Sequence, residues 1–176
     1  MPRLRYLLLC ALPFLVHADE SLRMSTVASV DLQRYVGRWY EVGSFPMFFQ
    51  RNCLGDTTAD YVLQPKGSVS VINRCRTEDG FIEAKGTATV VPDSGNARLK
   101  VSFFWPFSAD YWIIGLDPDY RWAVVGNPHR KTLWILARTP QLAEADWITA
   151  RKAAEAQGYD LSALRQTTHT LSGQPR

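Results

Sequence analysis

Few side chains in this sequence have the types and spacing that catalysis or metal binding requires. The sequence contains no Gly-x-Ser-x-Gly, no phosphate-binding glycine loop and no Cys-x-x-Cys. Two histidines lie beyond the N-terminal segment: His129 in an Asn-Pro-His-Arg turn and His169 near the C-terminus. Glu41 follows Trp39-Tyr40 and could approach the floor of an enclosed site, although a salt bridge or a rim contact is the simpler expectation. These residues favour binding over catalysis, and we expect no catalytic residue, metal or cofactor.

The N-terminal segment has the organisation of an export signal. Arg3 and Arg5 precede an apolar stretch over residues 7–16, which is too short to span a bilayer. Val16 and Ala18 occupy the minus-three and minus-one positions of a cleavage site, so we expect cleavage before Asp19. Residues 1–18 are therefore predicted to be a signal peptide, and residues 19–176 a single domain that is soluble in the periplasm.

The charge balance argues against two classes of partner. The chain has 20 Lys and Arg residues against 17 Asp and Glu, a formal net charge of +3. Loss of Arg3 and Arg5 leaves 18 basic residues (20 minus 2) against 17 acidic ones, a charge of +1. A nearly neutral chain has no strong electrostatic attraction to nucleic acid or to anionic membranes.

The three cysteines predict one disulfide. Cys10 lies in the apolar part of the signal, where Leu9-Cys10 faintly resembles a lipoprotein cleavage box. Such a box needs a small residue before the cysteine, and Leu9 is large. We therefore expect a soluble protein, and an outer-membrane lipoprotein anchored at Cys10 is the alternative. Cys53 and Cys75 then form an even pair in an exported protein, which favours a disulfide over two separate buried thiols. No metal-ligand spacing accompanies them.

Short strand candidates recur along the chain with turn residues between them, which is typical of a sandwich or barrel. The predicted strands are 38–45, 57–63, 68–76, 81–91, 97–103, 111–116, 122–126 and 132–138. Eight sequential strands with short connections favour antiparallel neighbours, and eight strands can close around a small ligand. We therefore predict an all-β fold, an eight-stranded up-and-down antiparallel barrel over about residues 37–138.

One helix is predicted after the barrel, over about residues 140–157. Thr139 is its expected cap, Pro140 its first residue and Gly158 its stop. Apolar residues recur on one of its faces at helical spacing, which indicates that it packs on the outside of the barrel. Strands 111–116, 122–126 and 132–138 are apolar on both faces, so we expect the helix to cover them. A last strand is predicted over about residues 165–171.

Charged residues indicate which face of each early strand points to water, because side chains alternate along a strand. Arg98 and Lys100 point outward in this scheme, which sends Leu99, Val101 and Phe103 inward. The same reasoning places on the inner face Ala59, Tyr61, Val69, Val71, Asn73, Cys75, Ile82, Ala84, Gly86, Ala88 and Val90.

Three consecutive inward residues are small, namely Ala84, Gly86 and Ala88. A barrel built only for stability would fill that space with large side chains, because protein interiors are densely packed. The small residues therefore indicate volume for a ligand, unless a large neighbour such as Phe103 or Tyr111 fills it.

Three sequence blocks occur in a fixed order: Gly37-Arg38-Trp39, residues 116–123 and residues 136–140. Together with residues 71–76 and 99–104, the export signal and the terminal helix, they resemble the lipocalin family, in particular its bacterial outer-membrane lipoprotein branch. The resemblance implies that Trp39 lies at the closed end of the barrel with Arg138 packed across it, in a structural role. It also implies that Tyr111, Ile113, Trp134 and Leu136 point inward.

The predicted cavity residues combine the two arguments. They are Tyr61, Val71, Asn73, Ala84, Gly86, Leu99, Val101, Phe103, Tyr111, Ile113, Trp134 and Leu136. The resemblance implies a protein of the bacterial envelope, monomer or homodimer and with possible outer-membrane association, that binds fatty acids or lysophospholipids for transport or storage. The alternatives are a lipocalin-fold enzyme and a carrier of haem, a siderophore or another hydrophobic ligand. Haem would need an inward histidine, and a siderophore several inward cations.

Overall fold

The structure, a computed structural model, describes residues 23–170, which form a closed barrel of antiparallel strands. The strands are β1 (Gly37–Ser44), β2 (Gly55–Leu63), β3 (Val69–Thr77), β4 (Gly80–Val90), β5 (Arg98–Phe104), β6 (Phe107–Leu116), β7 (Trp122–Gly126), β8 (Leu133–Ala137) and β9 (Arg165–Gln166). Each strand from β1 to β7 pairs with the next one, and β8 pairs with β1, which closes the barrel. The predicted eight-stranded up-and-down barrel is confirmed. The predicted signal peptide and Cys10 lie outside the described residues.

The strand ends differ from prediction most at β6, which begins at Phe107 rather than Tyr111. The residues Trp105-Pro106 alone make the turn, and Phe104 pairs directly with Phe107. The sequence did not predict this extension, because the polar residues Ser108 and Asp110 interrupt the apolar run. They face the solvent side of a strand whose other side chains are apolar. A long β5–β6 hairpin therefore projects at the end of the barrel where β1 finishes.

The outer helix, α2, spans Glu144–Ala156, so the predicted start at residue 140 is wrong by four residues. Thr139 does not cap the helix, because its hydroxyl donates to the Gln141 carbonyl, 2.6 Å away. The helix begins instead after Ala143 with Glu144 and Asp146 in its first turn, where carboxylates favour the positive end of the helix dipole. Gly158 follows its end with φ +79°, as a helix stop requires. No helix within residues 23–170 is long and apolar enough to cross a membrane.

Two apolar layers stabilise the barrel. The inner layer fills its lower part around Trp39, Ile113 and Val125. The outer layer lies between the late strands and α2, and its members include Ile114, Ile135 and Trp147 on the two surfaces. Glycines allow the close approach: a Cβ at residue 43 would lie 2.7 Å from the Trp147 ring. Residues 111–116 of β6 and strands β7 and β8 are therefore covered on both faces, as their sequences predict.

The last strand is much shorter than the predicted 165–171. Only Arg165 and Gln166 pair with β1, and Leu171 lies outside the described residues. The β1–β2 ladder covers Gly37–Tyr40, and beyond it the segment 167–170 lies between the two strands. The Thr167 amide donates to the Val42 carbonyl (3.1 Å) and the Asp56 amide to the Thr168 carbonyl (2.8 Å). The side chains of this segment take polar partners, which ends the regular ladder.

Candidate ligand-binding site

A cavity occupies the lower half of the barrel, and a short helix forms its floor. This helix, α1 (Leu32–Tyr35), is capped by Asp31, whose carboxylate accepts the Gln33 amide at 2.9 Å. The empty volume is about 300 Å³, including solvent at its open side, and the surface that faces it is apolar. The lining residues are Leu32, Tyr35, Val36, Tyr61, Val69, Ala88, Leu99, Val101 and Tyr111. Four of the predicted cavity residues, Tyr61, Leu99, Val101 and Tyr111, therefore lie together here.

The closed end is sealed by Arg138 and Trp39. The guanidinium carbon of Arg138 lies 3.8 Å from the centroid of the Trp39 ring, a cation–π contact worth roughly 0.5–2 kcal/mol. The same guanidinium donates to the carbonyls of Arg34 (2.6 Å) and Arg38 (2.9 Å), so it ties α1 to β1. Burial lowers the pKa of Arg138. The Trp39 indole donates to the Tyr35 carbonyl at 2.8 Å, which fixes both residues under the cavity.

Three tyrosine hydroxyls meet beside the cavity. The Tyr111 hydroxyl lies 2.8 Å from that of Tyr35 and 3.0 Å from that of Tyr61. Burial raises the pKa of all three and takes that of Tyr61 to about 12, so the phenols are neutral at physiological pH. Each phenol directs its ring toward the cavity while its polar atom is engaged with another phenol. The cavity wall is therefore apolar although three polar residues contribute to it.

The upper half of the barrel is an open vestibule. Ala84 on β4 is exposed and Gly86 is half-buried, although both lie on the inner face of the strand. The Phe103 ring lies over Gly86, where an added Cβ would come within 2.8 Å of it. Part of the volume that the small residues leave is thus covered by Phe103, which is itself 37% exposed. Asn73 on β3 pairs with Ala84 and is half-buried.

The remaining predicted residues pack inside the barrel but do not line the cavity. Val71, Ile113 and Leu136 are buried members of the inner layer, and the partly buried Trp134 packs against them. The sequence interpretation did not place Leu32, Tyr35 and Val36 at the cavity, because the helix that holds them there, α1, has only one turn. Two features of the sequence mark this short helix: Asp31, which caps it, and Gly37, which follows it with φ +98°.

Glu41 lies near the mouth and binds neutral donors. Its carboxylate accepts hydrogen bonds from Thr167 (2.7 Å), Gln50 (2.8 Å) and Ser44 (2.9 Å). It is 6% exposed, and it joins β1 to Gln50 in the turn at the mouth and to the C-terminal segment 167–170. It has no salt bridge among the described residues. This arrangement is a structural contact at the rim of the barrel, which is one of the two expected roles, and the other, a salt bridge, is not found within residues 23–170.

A second polar cluster closes the same seam, the line along which segment 167–170 lies between β1 and β2. Arg76 donates to Asp56 at 2.7 Å, and the amide and hydroxyl of Thr170 donate to the same carboxylate, each at 2.7 Å. Burial alone would raise the pKa of Asp56, but these hydrogen bonds outweigh it and lower that pKa. His169 bonds the Glu41 carbonyl through Nε2 at 2.8 Å, so its buried ring is part of the seam. No group of His, Cys, Asp and Glu within residues 23–170 has the arrangement of a metal site.

The predicted disulfide is confirmed. Cys53 and Cys75 are bonded, with 5.6 Å between their Cα atoms. The bond ties the loop after β1 to β3 at the mouth. Closing a loop of 22 residues stabilises the fold by roughly 3 kcal/mol in the chain-entropy model.

Comparison with known proteins shows which family has this architecture. A family model described as a lipocalin-like domain matches residues 30–169. The chain is 40% identical to temperature-induced lipocalin-1 of Arabidopsis thaliana over 157 residues, 84% of each chain. It is 38% identical to the outer membrane lipoprotein Blc of Escherichia coli K12 over 141 residues, 79% of each chain.

Solved structures give the same fold at lower sequence similarity. Insecticyanin from the tobacco hornworm Manduca sexta superposes with a TM-score of 0.70 at 18% identity, covering 84% of this chain and 85% of that one. Lipocalins are generally binding proteins, in agreement with an apolar cavity inside an eight-stranded barrel. On the family match and the identity to its relatives, this chain belongs to the lipocalin family.

Proposed function

We propose that this protein binds a single-chain lipid, a fatty acid or a lysophospholipid, and carries or stores it in the bacterial cell envelope. The observation that carries the proposal is the apolar cavity below an open apolar vestibule. The cavity is narrow, so it suits one acyl chain better than two.

The lining supports an orientation in which the end of the acyl chain enters first. The deep wall is formed by aliphatic side chains and phenol rings whose hydroxyls are already engaged. A charged head group placed there would be desolvated with no ionic partner, at a cost of several kcal/mol. The head group therefore stays in the vestibule, beside Asn73 and within reach of solvent.

The relatives and the N-terminus support the envelope location. The Escherichia coli relative is an outer membrane lipoprotein, and residues 1–18 have the pattern of a signal peptide. We propose that the mature chain starts at Asp19 and is soluble in the periplasm, as a monomer or homodimer, with a lipid anchor at Cys10 as the alternative. Mass spectrometry of the exported protein distinguishes a start at Asp19 from a diacylglyceryl mass on Cys10.

Filling the cavity tests the lipid-binding proposal. Ala88 is 2% exposed and lines the cavity, whereas its neighbour Thr89 points to solvent on the same strand. We expect Ala88→Trp to abolish uptake of a fluorescent fatty acid, and Ala88→Leu, the variant more easily accommodated, to weaken it at least about tenfold. A loss of about 1.4 kcal/mol of binding free energy already weakens the affinity tenfold.

Thr89→Trp is the matched control and should bind as the wild type does. Native mass spectrometry of the wild type should show a fatty acid or lysophospholipid at near one per chain. Folded Ala88 variants, checked by circular dichroism, that bind with wild-type affinity would exclude this cavity as the lipid site.

A further inference from the structure

The mouth of the barrel carries an unusual amount of exposed apolar surface. Eleven large hydrophobic side chains are exposed within residues 23–170, and nine of them lie at the mouth. They are Phe48, Phe49, Leu54, Phe81, Ile82, Phe103, Phe104, Trp105 and Phe107. The other two, Val62 and Ile148, lie apart on the outer wall and on α2. Large exposed apolar side chains concentrated at one end of a barrel, rather than scattered singly, mark an interaction site.

Two loops hold the most exposed of these residues. The β1–β2 connection carries Phe48 and Phe49, which are 83% and 58% exposed, with ring centroids 5.3 Å apart. The β5–β6 hairpin tip carries Phe104, Trp105 and Phe107, which are 80%, 92% and 77% exposed. We call these loops the two aromatic tips. In the strand order they lie on opposite sides of the barrel, so they flank the mouth.

Charge is sparse at the aromatic tips, where Arg51 is the one charged residue of segments 45–54 and 103–109, and it is balanced between them. Residues 45–50 and 103–109 contain no Asp, Glu, Lys or Arg. Of the two loops between the tips, the β3–β4 turn carries Glu78 and Asp79, and the β7–β8 loop carries Arg130 and Lys131. The mouth therefore has no net polybasic or acidic character, so electrostatic attraction to an anionic surface is not what would bring a partner there.

The shape of the mouth favours a fluid partner. Two convex tips on opposite sides of an opening give no continuous face, and a rigid protein would have to bridge the gap between them. A lipid surface deforms around separate tips, and Trp and Phe are the side chains that settle at the boundary between head groups and acyl chains. A lipid that left the surface between the tips would enter the apolar vestibule without crossing water.

We infer that the two aromatic tips dock the open mouth onto the surface of a zwitterionic lipid bilayer. The docking rests on exposed residues that are separate from the cavity, and it deepens the proposed function by giving the source from which the cavity takes its lipid. Because aromatic insertion rather than charge drives it, docking should change little with salt.

Vesicle flotation tests the docking. The wild-type protein should float with phosphatidylcholine vesicles at both low and high salt. The double variant Phe104→Ser, Trp105→Ser should partition at least about tenfold less, since each substitution removes an aromatic side chain from the interface. Ile148→Ser and Val62→Ser remove exposed apolar side chains away from the mouth, and both should float as the wild type does.

Lipid transfer separates this inference from the lipid-binding proposal. The double variant should take up a fluorescent fatty acid from a cyclodextrin complex as the wild type does, but more slowly from vesicles. Equal flotation of wild type and double variant, or no flotation of the wild type, would refute the docking while leaving the cavity proposal intact. Loss of a dimer in the double variant by analytical ultracentrifugation, with vesicle binding unchanged, would show that a second copy covers the tips instead. Failure of uptake from cyclodextrin by the wild type would refute the cavity proposal alone.

Discussion

Tyr111→Phe is the substitution whose consequence the structure fixes most directly. The hydroxyl that it removes is the common partner of the Tyr35 and Tyr61 hydroxyls, at 2.8 and 3.0 Å. These two residues are 4% and 6% exposed, and among residues 23–170 their hydroxyls have no other hydrogen-bond partner. The substitution therefore removes two hydrogen bonds and leaves two buried donors unpaired, while the aromatic ring keeps its contacts.

The expected magnitude follows from that count. A buried hydroxyl left without a partner costs about 1–3 kcal/mol, so Tyr111→Phe, which leaves two of them, should lower the free energy of unfolding by about 2–6 kcal/mol. Tyr61→Phe and Tyr35→Phe each remove one hydrogen bond and leave the other pair bonded, so each should cost only about 0.5–1.5 kcal/mol. All three variants delete the same atom from the same residue type, and their difference reports the hydrogen-bond topology.

Urea unfolding followed by tryptophan fluorescence measures the three values. A melting temperature about 4–24 °C lower in Tyr111→Phe would correspond to its predicted loss, because 1 kcal/mol shifts the midpoint by about 2–4 °C in a chain of this size. The m-value should be unchanged in each variant, since the unfolded surface is the same. Equal losses in all three variants, or the largest loss in Tyr61→Phe, would show that Tyr111 is not the centre of the cluster.

Three further predictions concern the parts that hold the barrel closed. Cys53→Ser should lower the free energy of unfolding by roughly 3 kcal/mol, and alkylation of the unfolded wild type should find no free thiol at residues 53 and 75. Arg138→Gln should cost about 2–4 kcal/mol by urea unfolding, since it removes a cation–π contact and the charged hydrogen bonds to the Arg34 and Arg38 carbonyls. The lowered pKa of Asp56, opposed by burial but set by Arg76 and Thr170, gives stability that is present above the unfolded pKa and is lost as the pH falls through the folded pKa. Thermal melts from pH 6 down to about pH 2 should therefore lose less stability in Asp56→Asn than in the wild type.

The sequence predicted the barrel because its signals are local and repeated. Charges such as Arg98 and Lys100 alternate with apolar residues, so the inner face of β5 could be assigned without a structure. The inner layer does contain Leu99 and Val101. The disulfide was predictable for a similar reason, since two cysteines remain once the export signal is set aside.

The cavity was less predictable, because its limits depend on contacts between distant parts of the chain. The four residues of α1 are too few for a periodicity signal, yet they form the cavity floor. The gap that Ala84 and Gly86 leave is partly covered by Phe103 of the neighbouring strand, which no pattern within β4 indicates. The C-terminal segment between β1 and β2 is held by Glu41 and Asp56, two carboxylates far from it in sequence.

The mouth can remain open because the fold is held elsewhere. Residues 111–116 of β6 and strands β7 and β8 are covered on both faces, and the lower half of the barrel is closed by α1 and the Arg138–Trp39 contact. Near the mouth, polar side chains and the disulfide hold the upper seam, and Glu41 fixes the turn that carries Phe48 and Phe49 through Gln50. The aromatic side chains of that turn are therefore positioned without being buried. The turn that carries Phe48 and Phe49 stays exposed, because its collapse onto the cavity would break the hydrogen bonds of a carboxylate that is 6% exposed.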